Sequence, residues 1–151
     1  TYDTSEKLSW DHWFRTLGAT QLDAQAKMAR FMPDWEIDPS MELDDGDIIV
    51  DKTRFSALIP ETCDMDAMLK ARGIDTLIIT GTLTNCCCES TARDALQMGY
   101  NVIFMSDANA TLSDEEHLGT LLSMYTIFAD VMDTPYLLDL IDKSSAERVA
   151  A

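Results

Sequence analysis

From about residue 47 onward, short apolar runs alternate with stretches of helical spacing. Asp47-Ile-Ile-Val50 follows the turn-like Asp44-Asp45-Gly46 and reads as a strand. Met65, Met68 and Leu69 share one face of a helix over residues 65–72, which Gly73 stops. Residues 76–80 read as the next strand, residues 86–98 as the next helix, closed by Gly99, and residues 101–105 as another strand. Ser113-Asp-Glu-Glu116 is a capping box, and Leu118, Leu121, Leu122, Tyr125 and Phe128 behind it fall on one helix face. Asp130-Val-Met132 is a last short apolar run before a helix from Pro135. Nearly continuous apolar strands separated by helices predict an α/β protein, a Rossmann-like parallel sheet in three layers with helices on both faces.

The first 46 residues break the pattern. They hold all three tryptophans (Trp10, Trp13 and Trp35) with Pro33 and Pro39 and no convincing strand. One or two irregular helices are expected over residues 10–29, and an extended loop over residues 32–43. Trp10, Trp13 and Phe14 are candidates for a lid or a subunit contact. The whole is read as one domain over residues 1–151, an irregular Trp-rich segment (1–46) joined to an α/β core (47–142).

A length of 151 residues with 46% apolar content suffices for one such domain with a real core. The net charge of −16 argues against nucleic acid and anionic membrane surfaces as partners, since both repel it. No apolar run reaches the length of a membrane span, and Thr1-Tyr2-Asp3 does not read as a signal peptide. Cys63, Cys86, Cys87 and Cys88 are spaced neither as a framework of bridges nor as a zinc site. Reduced thiols in a cytoplasmic protein are the expectation.

The chemistry concentrates in Gly81-Thr-Leu-Thr-Asn-Cys-Cys-Cys-Glu-Ser-Thr-Ala-Arg-Asp94, directly after the apolar Leu77-Ile78-Ile79. A strand that turns sharply into a helix puts thiols among unpaired N–H groups at the positive end of a dipole, and both favour thiolate. A cysteine hydrolase also needs a cation or base, a proton shuttle and an oxyanion hole. The N–H of the nucleophile and one from the turn at Leu83 are candidates for the hole. Lys52, just past the residue 48–50 run, is the candidate cation at the same carboxyl rim of the sheet, where ligands of such folds bind. No local spacing identifies the shuttle.

Five blocks together resemble the isochorismatase-like cysteine hydrolases, a family that includes nicotinamidases, N-carbamoylsarcosine amidases and ureidoacrylate amidohydrolases. They are Lys52-Thr-Arg-Phe-Ser-Ala57, Gly73-Ile-Asp-Thr-Leu-Ile-Ile-Thr-Gly81, Thr84-Asn-Cys-Cys-Cys-Glu-Ser-Thr-Ala-Arg-Asp-Ala95, Gly99-Tyr-Asn-Val and Ser106-Asp-Ala-Asn-Ala110. The family pattern Gly-x-x-Thr-x-x-Cys, counted from Gly81 through Thr84, implies that Cys87 is the nucleophile. It also implies a cis peptide between Thr82 and Leu83, with the Leu83 N–H aimed at the oxyanion. Lys52 matches the lysine that lowers the thiol pKa and helps hold substrate. The family's third catalytic group is an aspartate ending the first strand, and neither Asp3 nor Asp11 fits it. The first two strands, with that aspartate, are therefore expected outside this chain, on a separate N-terminal segment for example. His12 and His117 do not fit the metal-binding pattern of nicotinamidases and are expected to be structural or solvated. No catalytic metal and no cofactor are expected.

A cysteine at the nucleophile position favours C–N cleavage, because true isochorismatases resemble this family but lack that cysteine. The expected activity is hydrolysis of a small linear amide, carbamoyl or ureido substrate through a thioester, in a dimer or tetramer. The alternatives are a non-catalytic scaffold or regulatory subunit without the aspartate, and a nicotinamidase-like amidase. Redox sensing through Cys86–Cys88 is a further alternative, for which adjacent helical cysteines have poor geometry. Arg54, Phe55 and Asn85 are candidate substrate contacts. Each has a plainer alternative: a surface ion pair for Arg54, core packing for Phe55 and a helix cap for Asn85.

Overall fold

In the computed structural model, which describes residues 36–150, three parallel strands pair in the order β1 (Thr76–Thr82), β2 (Asn101–Ala110) and β3 (Asp130–Met132). Helix α1 (Met65–Ala71) precedes β1, α2 (Glu89–Gln97) and α3 (Asp114–Ser123) connect the strands in turn, and α4 (Thr134–Ala150) follows β3. Single π-helical turns, Thr84–Cys88 and Met124–Phe128, lead into α2 and out of α3. The chain divides into two compact units, residues 1–54 and 55–151, and every strand and helix named here lies in the second.

Strand alternation sorts the second unit's core. Val102 and Phe104 point from β2 to one face, where they meet Leu58, Cys88, Ala92, Ala95 and Met124, with Leu77 and Ile79 of β1 packed alongside. The two alanines of α2 have no exposed surface, so their small side chains let that helix lie close against the strands. Met105 faces the other way and is buried where α4 packs on β2, and Leu137 of α4 is buried there too. The helices stop as their sequence indicates. Gly99 takes φ +91°, a conformation that favours glycine, and the Tyr100 N–H then reaches back 3.0 Å to the Ala95 carbonyl. Among the described residues no helix is long and apolar enough to cross a membrane.

Two expectations need correction. Residues 47–50 form no strand: they join no ladder among the described residues, and Ile48 and Ile49 are 51% and 66% exposed. An apolar run becomes a strand only where a ladder partner takes its N–H and C=O groups. The described part of the first unit is instead built of turns, such as Ser40 N–H and hydroxyl both donating to the Asp38 carboxylate at 2.8 and 2.6 Å. The inward face of α3 is also rotated from the expected one. Leu121 packs on the core with Met124 and Phe128, whereas Leu118, Leu122 and Tyr125 are 62%, 65% and 71% exposed. The cause is polar: His117 and Thr120 turn inward to hydrogen-bonding partners and carry the helix with them.

A cross-strand cap fixes the start of α4. The Asp107 carboxylate, on β2, accepts from the Thr134 N–H at 3.0 and 3.1 Å and from its hydroxyl at 2.9 Å. These bonds, the backbone one first, hold the Asp107 carboxyl below the usual carboxylate range. A depressed folded pKa stabilises the fold fully above the unfolded value, about 4, and that contribution disappears as pH falls through the folded pKa. Asp107→Asn is therefore expected to lower Tm at pH 7, with the gap to wild type closing as melts are repeated below about pH 4. A gap that stays constant across that range would contradict this assignment.

Candidate active site

The cysteine turn begins where the β1–β2 ladder breaks. Ile79 pairs with Phe104, but Gly81 pairs with Asn109, so residues 105–108 of β2 stand opposite Thr80 alone. Gly81 takes φ +119°, which a side chain would strain, and the Thr82–Leu83 peptide bond that follows is cis. Leu83 is extended (φ −86°, ψ 143°), and its carbonyl accepts from the Cys86 and Cys88 N–H groups at 3.1 and 3.2 Å. The three thiols meet different surroundings. Cys88 is buried in the core with its Sγ 3.9 Å from the Thr80 carbonyl, whereas Cys86 and Cys87 are half-buried. The Thr91 hydroxyl donates to the Cys87 carbonyl at 2.7 Å and accepts from the Ala57 N–H at 3.2 Å, which ties the start of α2 to the residue 56–58 loop.

Further side-chain hydrogen bonds hold the turn. The Thr84 hydroxyl, with no exposed surface, lies 3.0 Å from His117 Nδ1, and His117 Nε2 lies 3.0 Å from the Ser106 carbonyl. The Thr111 hydroxyl donates to Asn85 Oδ1 at 2.6 Å. The Asn109 amide spans the break in the ladder, donating to the Ile79 carbonyl at 3.0 Å and the Met105 carbonyl at 2.6 Å. One turn further along α2, Glu89 accepts from Arg93 Nε and Nη2 on one oxygen and from the Thr120 hydroxyl on the other. Arg93 also donates to Ser123 Oγ and lies over the Phe128 ring, 3.9 Å from its centroid.

The second unit thus brings together Thr82, Leu83, Asn85 and Cys87. Asn85 is exposed and its side chain caps neither the π-helical turn nor α2, so the plainer alternative of a helix cap is not what it does. Phe55 is half-buried at the start of this unit. Lys52 and Arg54 belong to the first unit, where Lys52 Nζ donates to the Arg54 carbonyl at 2.9 Å and Arg54 Nη1 to the Thr53 carbonyl at 2.9 Å. Asp3, Trp10, Asp11, His12, Trp13, Phe14 and Trp35 lie outside the described residues. No group of three or more His, Cys, Asp or Glu side chains among the described residues is gathered as a metal site requires. Sequence reasoning missed the joint work of Thr84 and His117. The two residues stand 33 apart in sequence, and no local pattern signals such a bond.

The sequence profile of the isochorismatase domain matches residues 10–135, and the chain belongs to the isochorismatase family. An isochorismatase family protein of Bacillus subtilis is 44% identical over 103 residues, covering 68% of this chain and 53% of the relative. A ureidoacrylate amidohydrolase of Variovorax paradoxus is 36% identical over 106 residues, covering 67% of this chain and 41% of the relative. Among solved structures, a cysteine hydrolase from Pseudomonas syringae superposes with a TM-score of 0.72 at 31% identity, covering 83% of this chain and 65% of that one. The chain spans about half the length of the curated relatives it matches.

The Glu89 network yields a test of what braces α2 against α3. The Arg93–Glu89 pair has side chains 34% and 20% exposed, so as an i,i+4 ion pair it contributes only about 0.3–0.5 kcal/mol. The larger stake is the buried Thr120 hydroxyl, which loses its acceptor when Glu89 is truncated. Glu89→Ala is expected to cost about 2 kcal/mol in urea unfolding. A loss under about 0.5 kcal/mol would show that the network contributes no more than a surface pair.

Proposed function

We propose that the whole protein is a cysteine-dependent amidohydrolase acting on a small linear amide, carbamoyl or ureido substrate, with Cys87 as its nucleophile. The observation that carries this reading is the Thr84–Cys88 turn, where the Cys87 thiol is half-buried at the entry to α2 while Cys88 is packed into the core. The kinship with a ureidoacrylate amidohydrolase and with a cysteine hydrolase supports the reaction class. In this reading the thiolate attacks the substrate carbonyl carbon, and the carbonyl electrons move to oxygen. The Leu83 and Cys87 N–H groups stabilise that oxyanion. Collapse breaks the C–N bond, the leaving amine or ammonia takes up a proton, and a thioester remains. Water attacks the thioester, the acid departs, and the thiolate is restored.

Lys52 has the role its position in the family pattern gives it, lowering the thiol pKa and holding substrate. The leaving-group proton passes through an aspartate, the family's third catalytic group. Arg54, Phe55 and Asn85 are proposed to contact the substrate, and a dimer or tetramer is the proposed assembly.

The deciding assay is ammonia release by the full-length protein from a panel of ureido, carbamoyl and primary amides. Cys87→Ser is expected to reduce turnover of the best substrate by a factor of about 1,000 or more, whereas Cys86→Ser stays within about tenfold of wild type. Equal losses in the two variants would remove Cys87 from the nucleophile position. Silence of the wild-type protein across the panel would favour a non-catalytic member of the family.

A further inference from the structure

His117 stands four residues beyond Ser113, the cap of α3, and its ring is engaged at both nitrogens. The Ser106 carbonyl can only accept, so Nε2 carries a proton. In the neutral ring Nδ1 is then the acceptor, and the Thr84 hydroxyl donates to it. Thr84 has no exposed surface, so its hydroxyl depends on a partner inside the protein. The three groups come from different elements. Ser106 belongs to β2, His117 to α3, and Thr84 opens the cysteine turn.

We propose that His117 is the positioning residue of the cysteine turn. Its rigid ring, donor on one edge and acceptor on another, transmits the fixed position of β2 to Thr84. Thr84 directly follows Leu83, whose carbonyl receives the Cys86 and Cys88 N–H groups, so holding Thr84 holds the whole turn. The consequence for chemistry rests on the Cys87 reading above; the positioning itself does not. His117 touches no reacting atom in this scheme and acts through Thr84.

The test is amide hydrogen exchange on the full chain, run beside alkylation of its cysteines by iodoacetamide. In His117→Leu the Cys86 and Cys88 amides are expected to exchange about tenfold faster than in wild type, and Cys87 to alkylate about tenfold more slowly. Amides in β2 such as Ile103 and Phe104 keep their protection. His117→Gln offers both a donor and an acceptor and is expected to restore most of the protection, which lost ring volume alone does not predict. Thr84→Val removes the same bond from its other end and serves where His117→Leu fails to fold. Its effect on exchange should match that of His117→Leu and not add to it. Unchanged exchange at Cys86 and Cys88 in either folded variant overturns the proposal, as does failure of the glutamine to restore protection. Exchange is read at the backbone, so a Cys87 that alkylates no faster than Cys63 sinks the amidohydrolase reading while the exchange still decides the role of His117.

Discussion

The break in the β1–β2 ladder is the constraint on which the cysteine turn depends. A parallel ladder consumes the backbone groups of both strands, and a strand that must leave the sheet strands some of them. Here β2 bulges between Ile79 and Gly81 of β1 before the two strands pair again at Gly81–Asn109 and Thr82–Ala110, so residues 105–108 have only Thr80 of β1 across from them. Each polar residue of Ser106-Asp-Ala-Asn109 then has a distinct task. The Ser106 carbonyl is taken by His117, the Asp107 carboxylate caps α4, and the Asn109 amide bridges the gap to the Ile79 and Met105 carbonyls. The block that helped to mark the family in sequence is, in this fold, the structural complement of the turn.

Preorganisation is what such a turn offers chemistry. Donors aimed at a developing oxyanion work because they need not reorganise as the charge forms. The backbone from Leu83 to Cys88 is held at several separate points: the Leu83 carbonyl by two N–H groups, Thr84 by His117, Asn85 by Thr111, and the Cys87 carbonyl by Thr91. Three adjacent cysteines become inequivalent as a result, since the backbone path alone sends Cys88 to the core and leaves its two neighbours half-buried. A run of like residues thus acquires different surroundings from local geometry, with no difference in side-chain chemistry.

Much of this was legible in the sequence because it is local. Period-two and period-3.6 patterns marked β1, α1, α2 and β3, and the Gly81-x-x-Thr84 spacing located the turn. Ser113 caps α3 as its box indicates, accepting from the Glu116 N–H at 3.3 Å. What failed was whatever depends on a distant partner. Residues 47–50 have the composition of a strand, yet a ladder is a property of two segments. β2 runs on to Ala110, beyond the residue 101–105 expectation, because Asn109 and Ala110 pair again with Gly81 and Thr82 of β1, a pairing that apolar periodicity does not register. His117 is structural, one of the two readings its sequence context allows, but its partners could not be named because they lie 11 and 33 residues away.

The orientation of α3 shows why those distant polar bonds matter more than their modest energies suggest. The segment from residue 118 to residue 128 carries two apolar stripes, one of Leu118, Leu122 and Tyr125 and one of Leu121, Met124 and Phe128. Hydrophobic burial is non-directional and roughly proportional to area, so it discriminates poorly between two stripes of similar size. Hydrogen bonds discriminate well, because a buried group without its partner costs about 1–3 kcal/mol and tolerates little misalignment. Only the observed rotation brings His117 to Thr84 and Ser106 and Thr120 to Glu89 at once. The same polar contacts that choose how α3 lies therefore also fix the cysteine turn, and the second apolar stripe is left facing outward as the cost of that choice.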